Sequence, residues 1–389
     1  MVMDRTGKAD GPGGCVHLRG MTWDHPRGYA GLEAASDLYA QSNNVDIKWD
    51  RRSLQAFADA DIAELADRYD FIVLDHPHVG LIADAGCLLP LPVPDDAQSA
   101  SLGGSLESYI WNDCLWALPL DGACQMAVER ADLAAKRLPS WEAVFDAKPG
   151  DYRVATPLLP VDAFDMMMTL VAGRGEERLP YSPDQFTSDD NGHLALNVLK
   201  ALYRLGPSDA VRWNPIHVLE AMATSDDFAY SPCLFGYINY ARPGFRTHQL
   251  SYCDLPSFAG SDLKRGILGG AGIGVSAGCK EPESAIAFVR WVTSEPVQSG
   301  FYLENEGQPA HRATWQAKAD DQDYAGFLGG ARNTMESAWT RPRDIWFLGF
   351  VDDVCEIFPD FFLQDRSAES MMSAINTIYR HHAARKVLI

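Results

Sequence analysis

Between Val16 and Asp75 the chain alternates short apolar runs with segments of helical periodicity. The stretches "VHLRGMTW" and "VDIKW" read as strands, and Leu32, Ala35, Leu38 and Tyr39 fall on one face of a helix between them. Phe57, Ile62, Leu65 and Ala66 mark a second helix, and "YDFIVLD" is a continuous apolar run of strand length. Strand, helix, strand, helix, strand predicts a parallel α/β sheet, because parallel neighbours need a long crossover and a helix supplies it. Ligands collect beyond the carboxyl ends of such strands.

After the Pro-rich "GCLLPLPVPDD" the rhythm changes. "WNDCLWALPLDGACQMAVER" predicts two strands bent at Pro119 to Gly122, and "YRVATPLLP" a strand stopped by two prolines. "SWEAVFDA" is a short helix, "DAFDMMMTLVAG" a helix closed by Gly173, and "LALNVLKALYRLG" one stopped at Gly206. A tyrosine-rich strand and turn, "DDFAYSPCLFGYINYARPG", precedes the glycine-rich strand "ILGGAGIGVSA". Two helices follow, "EPESAIAFVRWVTSEPVQSGFYLE" and the amphipathic "ESMMSAINTIYRHHAARK", whose basic end suits the helix dipole.

Composition narrows the function classes. The 389 residues suggest two or three domain-sized units, and 47% hydrophobic with 22% charged residues is ordinary for a folded chain. A net charge of −20 opposes binding to nucleic acid, and no stretch is apolar and long enough for membrane insertion. The first 15 residues read as a disordered polar tail without a secretory signal, so the chain as written is expected in the cytoplasm, or in the periplasm if a signal was removed. Eight cysteines without CxxC pairs read as reduced thiols, and no cofactor is expected.

The candidate chemistry centres on two similar loops, "TWDHPRG" and "VLDHPHVG". Each places Asp-His-Pro after an apolar strand, at Asp24-His25-Pro26 and Asp75-His76-Pro77. One reading is helix capping, since Asp caps and Pro suits the first turn. A second is ligand binding, in which carboxylates accept from hydroxyl or ammonium groups. A third, a metal held by His25, His76, His78 and one Asp, lacks a helix-borne His pair, and no metal is expected. The glycines of "GGAGIGVS" lack a following Lys-Ser/Thr, so they mark close backbone approach, not a phosphate loop.

Four segments, "YDFIVLDHPHVGLIADAGCLLPL", "WNDCLWALPLDGACQMAVERADL", "SWEAVFDA" and "GGAGIGVSAGCKEPESAIAFVRWVTSEPVQSGFYLENEGQPAHRATW", resemble extracellular solute-binding proteins of ABC importers, family 1. The resemblance implies a periplasmic-binding-protein-like type II fold, with two α/β lobes joined by a hinge and a ligand cleft between them. The first lobe would take 16–119 and 268–315, the second 120–267 and 316–389. In that family's sheet the first and third strands are neighbours, so the two Asp-His-Pro loops should meet at the cleft. The implied function is binding of a small sugar-like or polyol-like solute by a monomer that serves an ABC permease. Trp23, Asp24, His25, Trp49, Asp75 and His76 are then the expected first-lobe contacts. Asp121, Gln125, Tyr237 and Asn239 are expected from the hinge or second lobe, and Gln308 and Arg312 border the site. A lesser resemblance to thiaminase I-like enzymes of the same fold suggests an alternative, a cytoplasmic thiol-dependent transferase or hydrolase. Cys124 would be its nucleophile and His25 or His76 its base. Against that family's pattern the Pro-to-Cys spacing differs by one, and "FAYSPCLFGY" offers no clear catalytic Glu.

Overall fold

The computed structural model describes residues 15–53 and 62–385. The tail up to residue 14 and Phe57 of the second expected helix lie outside the described residues. Strands β1 (Val16–Trp23), β2 (Val45–Arg52) and β3 (Phe71–Leu74) are parallel, with β1 in the middle and helix α1 (Pro26–Ala40) crossing from β1 to β2. The sheet then changes direction. Two short strands, β4 (Ile110–Trp111) and β5 (Cys114–Leu115), form a separate hairpin, and β6 (Leu118–Glu129) returns to the main sheet. With β7 (Tyr230–Phe235), β8 (Ser251–Cys253) and β9 (Leu268–Val275) the order is β2-β1-β3-β9-β6-β7, and β8 pairs with β6. Strand β9 runs antiparallel to both β3 and β6, so the sheet is mixed where the N-terminal pattern alone predicts a parallel one.

Three local expectations change for backbone reasons. The two strands foreseen around Pro119 are one strand of 12 residues, because the bend is absorbed by a register shift between Pro119 and Asp121. "YRVATPLLP" forms no strand and makes a single bridge from Val154 to Tyr230, since Pro157 and Pro160 remove the donors a ladder needs. The long helix foreseen from Glu281 stops at Val292, just before Pro296.

Helix α2 (Pro160–Gly173) is buried along almost its whole length, including Asp162 and Asp165. It packs on α3 (Asp189–Leu205) and, through an aromatic cluster, on α5 (Phe347–Leu363), a C-terminal helix that follows α4 (Pro282–Val292); the last helix, α6 (Ala368–Arg385), packs on α5 and α3. Phe350 sits 4.7 Å from Phe186 and 5.7 Å from Phe164 between ring centroids. Each fully buried ring of this kind contributes roughly 1.5–3 kcal/mol, which fixes α5 against α2. One apolar core surrounds β1, β2 and β3 with α4, and a second joins α2, α3, α5 and α6. A third, around Cys124, Met126, Leu234 and Phe327, fills the junction.

Candidate functional site

A cleft of about 1070 Å³ opens between the first two cores. On one side it is walled by the carboxyl ends of β1 and β3, and on the other by the first turn of α2 and by α5. The sheet crosses beneath it. Gly270 of β9 has φ +81°, and a Cβ there would lie 2.2 Å from the Asp121 carbonyl oxygen, so only glycine lets β9 and β6 meet at the cleft floor.

Arg27 anchors the floor. Pro26 opens α1, and His25 caps it by accepting a hydrogen bond from the Arg27 backbone N–H at 3.1 Å. Gly28 lets the helix lie on Trp23, whose ring would be 2.4 Å from a Cβ at that position. The buried Arg27 side chain donates from Nε to Asp121 Oδ2 at 2.7 Å, from Nη2 to Asp121 Oδ1, and from Nη1 to the Gly236 carbonyl at 3.0 Å. Its guanidinium lies 4.4 Å from the centre of the Tyr237 ring. A cation in the first turn of a helix opposes the dipole, and the bidentate pair with Asp121 offsets that cost. Arg27 therefore ties α1 to the crossover strand β6 and to the chain leaving β7.

Carboxylates outnumber cations around the cleft. Asp165 accepts from Arg341 Nη1 at 3.5 Å, and Arg341 Nε is buried without an acceptor among the described residues. Asp162 is only 6% exposed, and neither its carboxyl nor that of Asp75 accepts a hydrogen bond among the described residues. Burial raises the Asp162 carboxyl far above the usual range, and the neighbouring Asp165 adds to this. Burial pushes Asp165 up to about 6, with Arg341 opposing the rise. It also raises Asp75, against Arg341, His78 and Arg27. The arrangement offers strong hydrogen-bond acceptors, two of them unused, in a site where aliphatic side chains make up much of the wall.

A profile described as bacterial extracellular solute-binding protein matches residues 34–303. The chain belongs to the bacterial extracellular solute-binding proteins. No curated protein matches it by sequence. Among solved structures it is similar to the GacH receptor of Streptomyces glaucescens, with 15% identity, a TM-score of 0.75 and coverage of 95% of this chain and 98% of that one. A maltose-bound MalE3 of T. maritima has 15% identity, a TM-score of 0.75 and coverage of 93% and 98%. An ABC transporter solute-binding protein of Thermotoga lettingae bound to alpha-D-tagatose has 14% identity, a TM-score of 0.76 and coverage of 95% and 100%. At these identities the likeness shows the fold, the two-lobed one expected from the resemblance.

This solute-binding protein is of the ABC-transporter type, and its family implies a small-molecule ligand, a permease partner and work outside the cytoplasm. Among the described residues no helix is long and apolar enough to cross a membrane, and no group of three or more His, Cys, Asp or Glu is placed to hold a metal ion.

Of the residues singled out in the sequence, Trp23, Asp75, Asp121 and Tyr237 line the cleft. The two Asp-His-Pro loops do emerge from neighbouring strands, but their histidines do not face each other across a ligand space. His25 caps α1 and sets its ring edge on Tyr237 at 4.8 Å, and burial with Arg27 lowers its pKa to about 4. His76 is wholly buried, its ring nitrogens meet no partner among the described residues, and burial keeps it neutral. Asp24 is exposed, with its backbone N–H on the Arg52 carbonyl at 2.6 Å.

Other expected contacts have structural posts. Trp49 is in the first core, donating from Nε1 to Ser36 Oγ at 2.8 Å. Gln125 accepts from Thr169 at 2.6 Å and from the Cys233 thiol at 3.2 Å, away from the cleft. Gln308 donates to the Gly122 carbonyl and accepts from the Ile238 backbone N–H, each at 2.8 Å, which staples the crossover. Asn239 donates to Glu306 at 2.6 Å, and Arg312 pairs with Glu336 at 2.8 Å. The proposed thiol chemistry also needs correction: Cys124 is wholly buried among apolar neighbours, burial pushes its thiol far up, and it does not line the cleft. With His25 committed to the α1 cap and His76 wholly buried, the nucleophile and base of the enzyme alternative are not assembled.

The sequence reading missed Arg27, Asp162, Asp165 and Arg341, all of which line the cleft. A signal existed for three of them. Arg27 is a cation in a helix first turn, and Asp162 and Asp165 are three residues apart on one face of an otherwise apolar helix.

Proposed function

We propose that this solute-binding protein takes a sugar-like or polyol-like solute in the cleft between β1, β3 and α2, and delivers it as a monomer to an ABC permease from the periplasm. The single observation that carries the ligand class is the pair of unengaged carboxylates, Asp75 and Asp162, on opposite walls of a cleft that also holds Trp23 and Tyr237. Carboxylates accept from vicinal hydroxyls, and ring faces cover the apolar sides of a sugar. The volume, at the upper end for small-ligand sites, favours more than one sugar unit. The neighbours bound to maltose and tagatose support this class. We further take 16–119 with 268–315 as the first lobe and 120–267 with 316–389 as the second, so that β6 and β9 cross the hinge.

Thermal denaturation with maltose, tagatose, acarbose and a set of polyols tests the reading. A ligand at 100 times its Kd should stabilise the fold by about 2.7 kcal/mol, and the shift should disappear in Asp75→Ala. No shift with any of these compounds, nor with amino-sugar counterparts, at millimolar concentration would sink it.

A further inference from the structure

We propose that the ligand is an amine-bearing, cationic member of the sugar or polyol class, whose ammonium group sits between Asp75 and Asp162 while a hydroxyl oxygen accepts from Arg341 Nε. The inference rests on the ligand class proposed above and narrows it. Its basis is the balance of charge and partners in the cleft. Of the six carboxylates that line the cleft, Asp84 and Asp352 are exposed; the other four, Asp75, Asp121, Asp162 and Asp165, share it with His78 and two guanidiniums, Arg27 and Arg341. Both guanidiniums are committed, Arg27 to Asp121 and Gly236 and Arg341 to Asp165. Asp75 and Asp162 are therefore left without a direct ion-pair partner among the described residues.

A neutral sugar would satisfy their oxygens but leave either a protonated carboxyl or an uncompensated buried charge in a desolvated site. An ammonium group satisfies both, because it brings three donors together with the missing positive charge. The rise of the Asp162 and Asp165 carboxyls fits a site that lacks a cation until the ligand arrives. Ring stacking, the usual alternative grip on a sugar, is partly pre-empted. Arg27 lies 4.4 Å from the centre of the Tyr237 ring and 5.9 Å from that of Trp23, and Arg341 lies 5.9 Å from that of Phe235. The buried Arg341 Nε, without an acceptor among the described residues, adds a donor that a simple amine would not use and an amino alcohol would. Asp162 thus acts with a second, oppositely charged unengaged group.

Matched pairs test the proposal by calorimetry on the full chain: a glucosamine disaccharide against its N-acetylated form, and deoxystreptamine against myo-inositol. The amine of at least one pair should bind about 10- to 100-fold more tightly than its neutral partner, the span expected of one charge-assisted contact. Asp162→Asn should cut that ratio about 10-fold. This variant replaces a buried carboxyl by an amide of the same shape, so it should fold, and Asp75→Asn provides a second reading of the same ratio. Neutral partners binding as well as the amines, or a ratio unchanged in both variants, would overturn the cationic assignment and leave the sugar-binding function standing. If neither member of any pair binds and the neutral sugars above give no shift, both fall.

Discussion

Replacing Arg27 by Met should be among the most damaging single changes to this protein, and a double-mutant cycle with Asp121→Asn should show why. The pair is desolvated, with 6% of the Arg27 side chain and 0% of the Asp121 side chain exposed. Arg27→Met removes both hydrogen bonds to Asp121 and the 3.0 Å bond to the Gly236 carbonyl. What remains is a buried carboxylate without its counter-ion, a situation that costs about 3–5 kcal/mol. In the double variant no charge is stranded, and the main loss is the Gly236 contact, about 1 kcal/mol. The coupling between the two positions should therefore be about 2 kcal/mol or more. Urea unfolding followed by tryptophan fluorescence and by circular dichroism measures all four corners of the cycle. Because the pair is buried, the result should change little between low and moderate salt. A loss below about 1 kcal/mol for Arg27→Met, or single losses that simply add within about 0.5 kcal/mol, would refute the role given to this pair.

Two further outcomes are expected. Burial pushes the Asp165 carboxyl from 3.8 up to about 6 in the folded protein. The folded state therefore holds this proton more tightly than the unfolded chain, so its contribution is full below the unfolded pKa and is lost as pH rises towards 6. The loss is on the order of 3 kcal/mol, and Asp165→Asn should flatten the dependence of Tm on pH across that window; an unchanged slope would contradict it. Thiol labelling of the native protein at neutral pH should modify the exposed Cys15 quickly and spare Cys124, Cys233 and Cys253, and mass mapping that finds Cys124 among the fast sites would count against its burial.

The cleft was partly legible in the sequence, and its failures have a common cause. Asp75 and Trp23 could be placed because they end apolar strands, and strand ends in parallel sheets face ligands. Gln125, Asn239 and Gln308 stand in suitable segments, yet their amides are consumed by Thr169, Glu306 and the Gly122 carbonyl. Sequence position says which residues come near the hinge, not which hydrogen bonds are already made there. The histidines misled in the same way: next to a Pro at a helix start, His25 serves its own backbone.

Hydrophobic periodicity by itself determined the strands β1, β2 and β3, the helices around them and the need for a sheet that gathers polar loops at one end, because these depend on short-range pattern. The tertiary structure alone decided that β9 returns antiparallel between β3 and β6, and that α2 brings Asp162 and Asp165 opposite Asp75. Those contacts join segments more than 80 residues apart in a low-dielectric cleft. There the charge left unpaired depends on every neighbour at once, and no local stretch of sequence carries that sum.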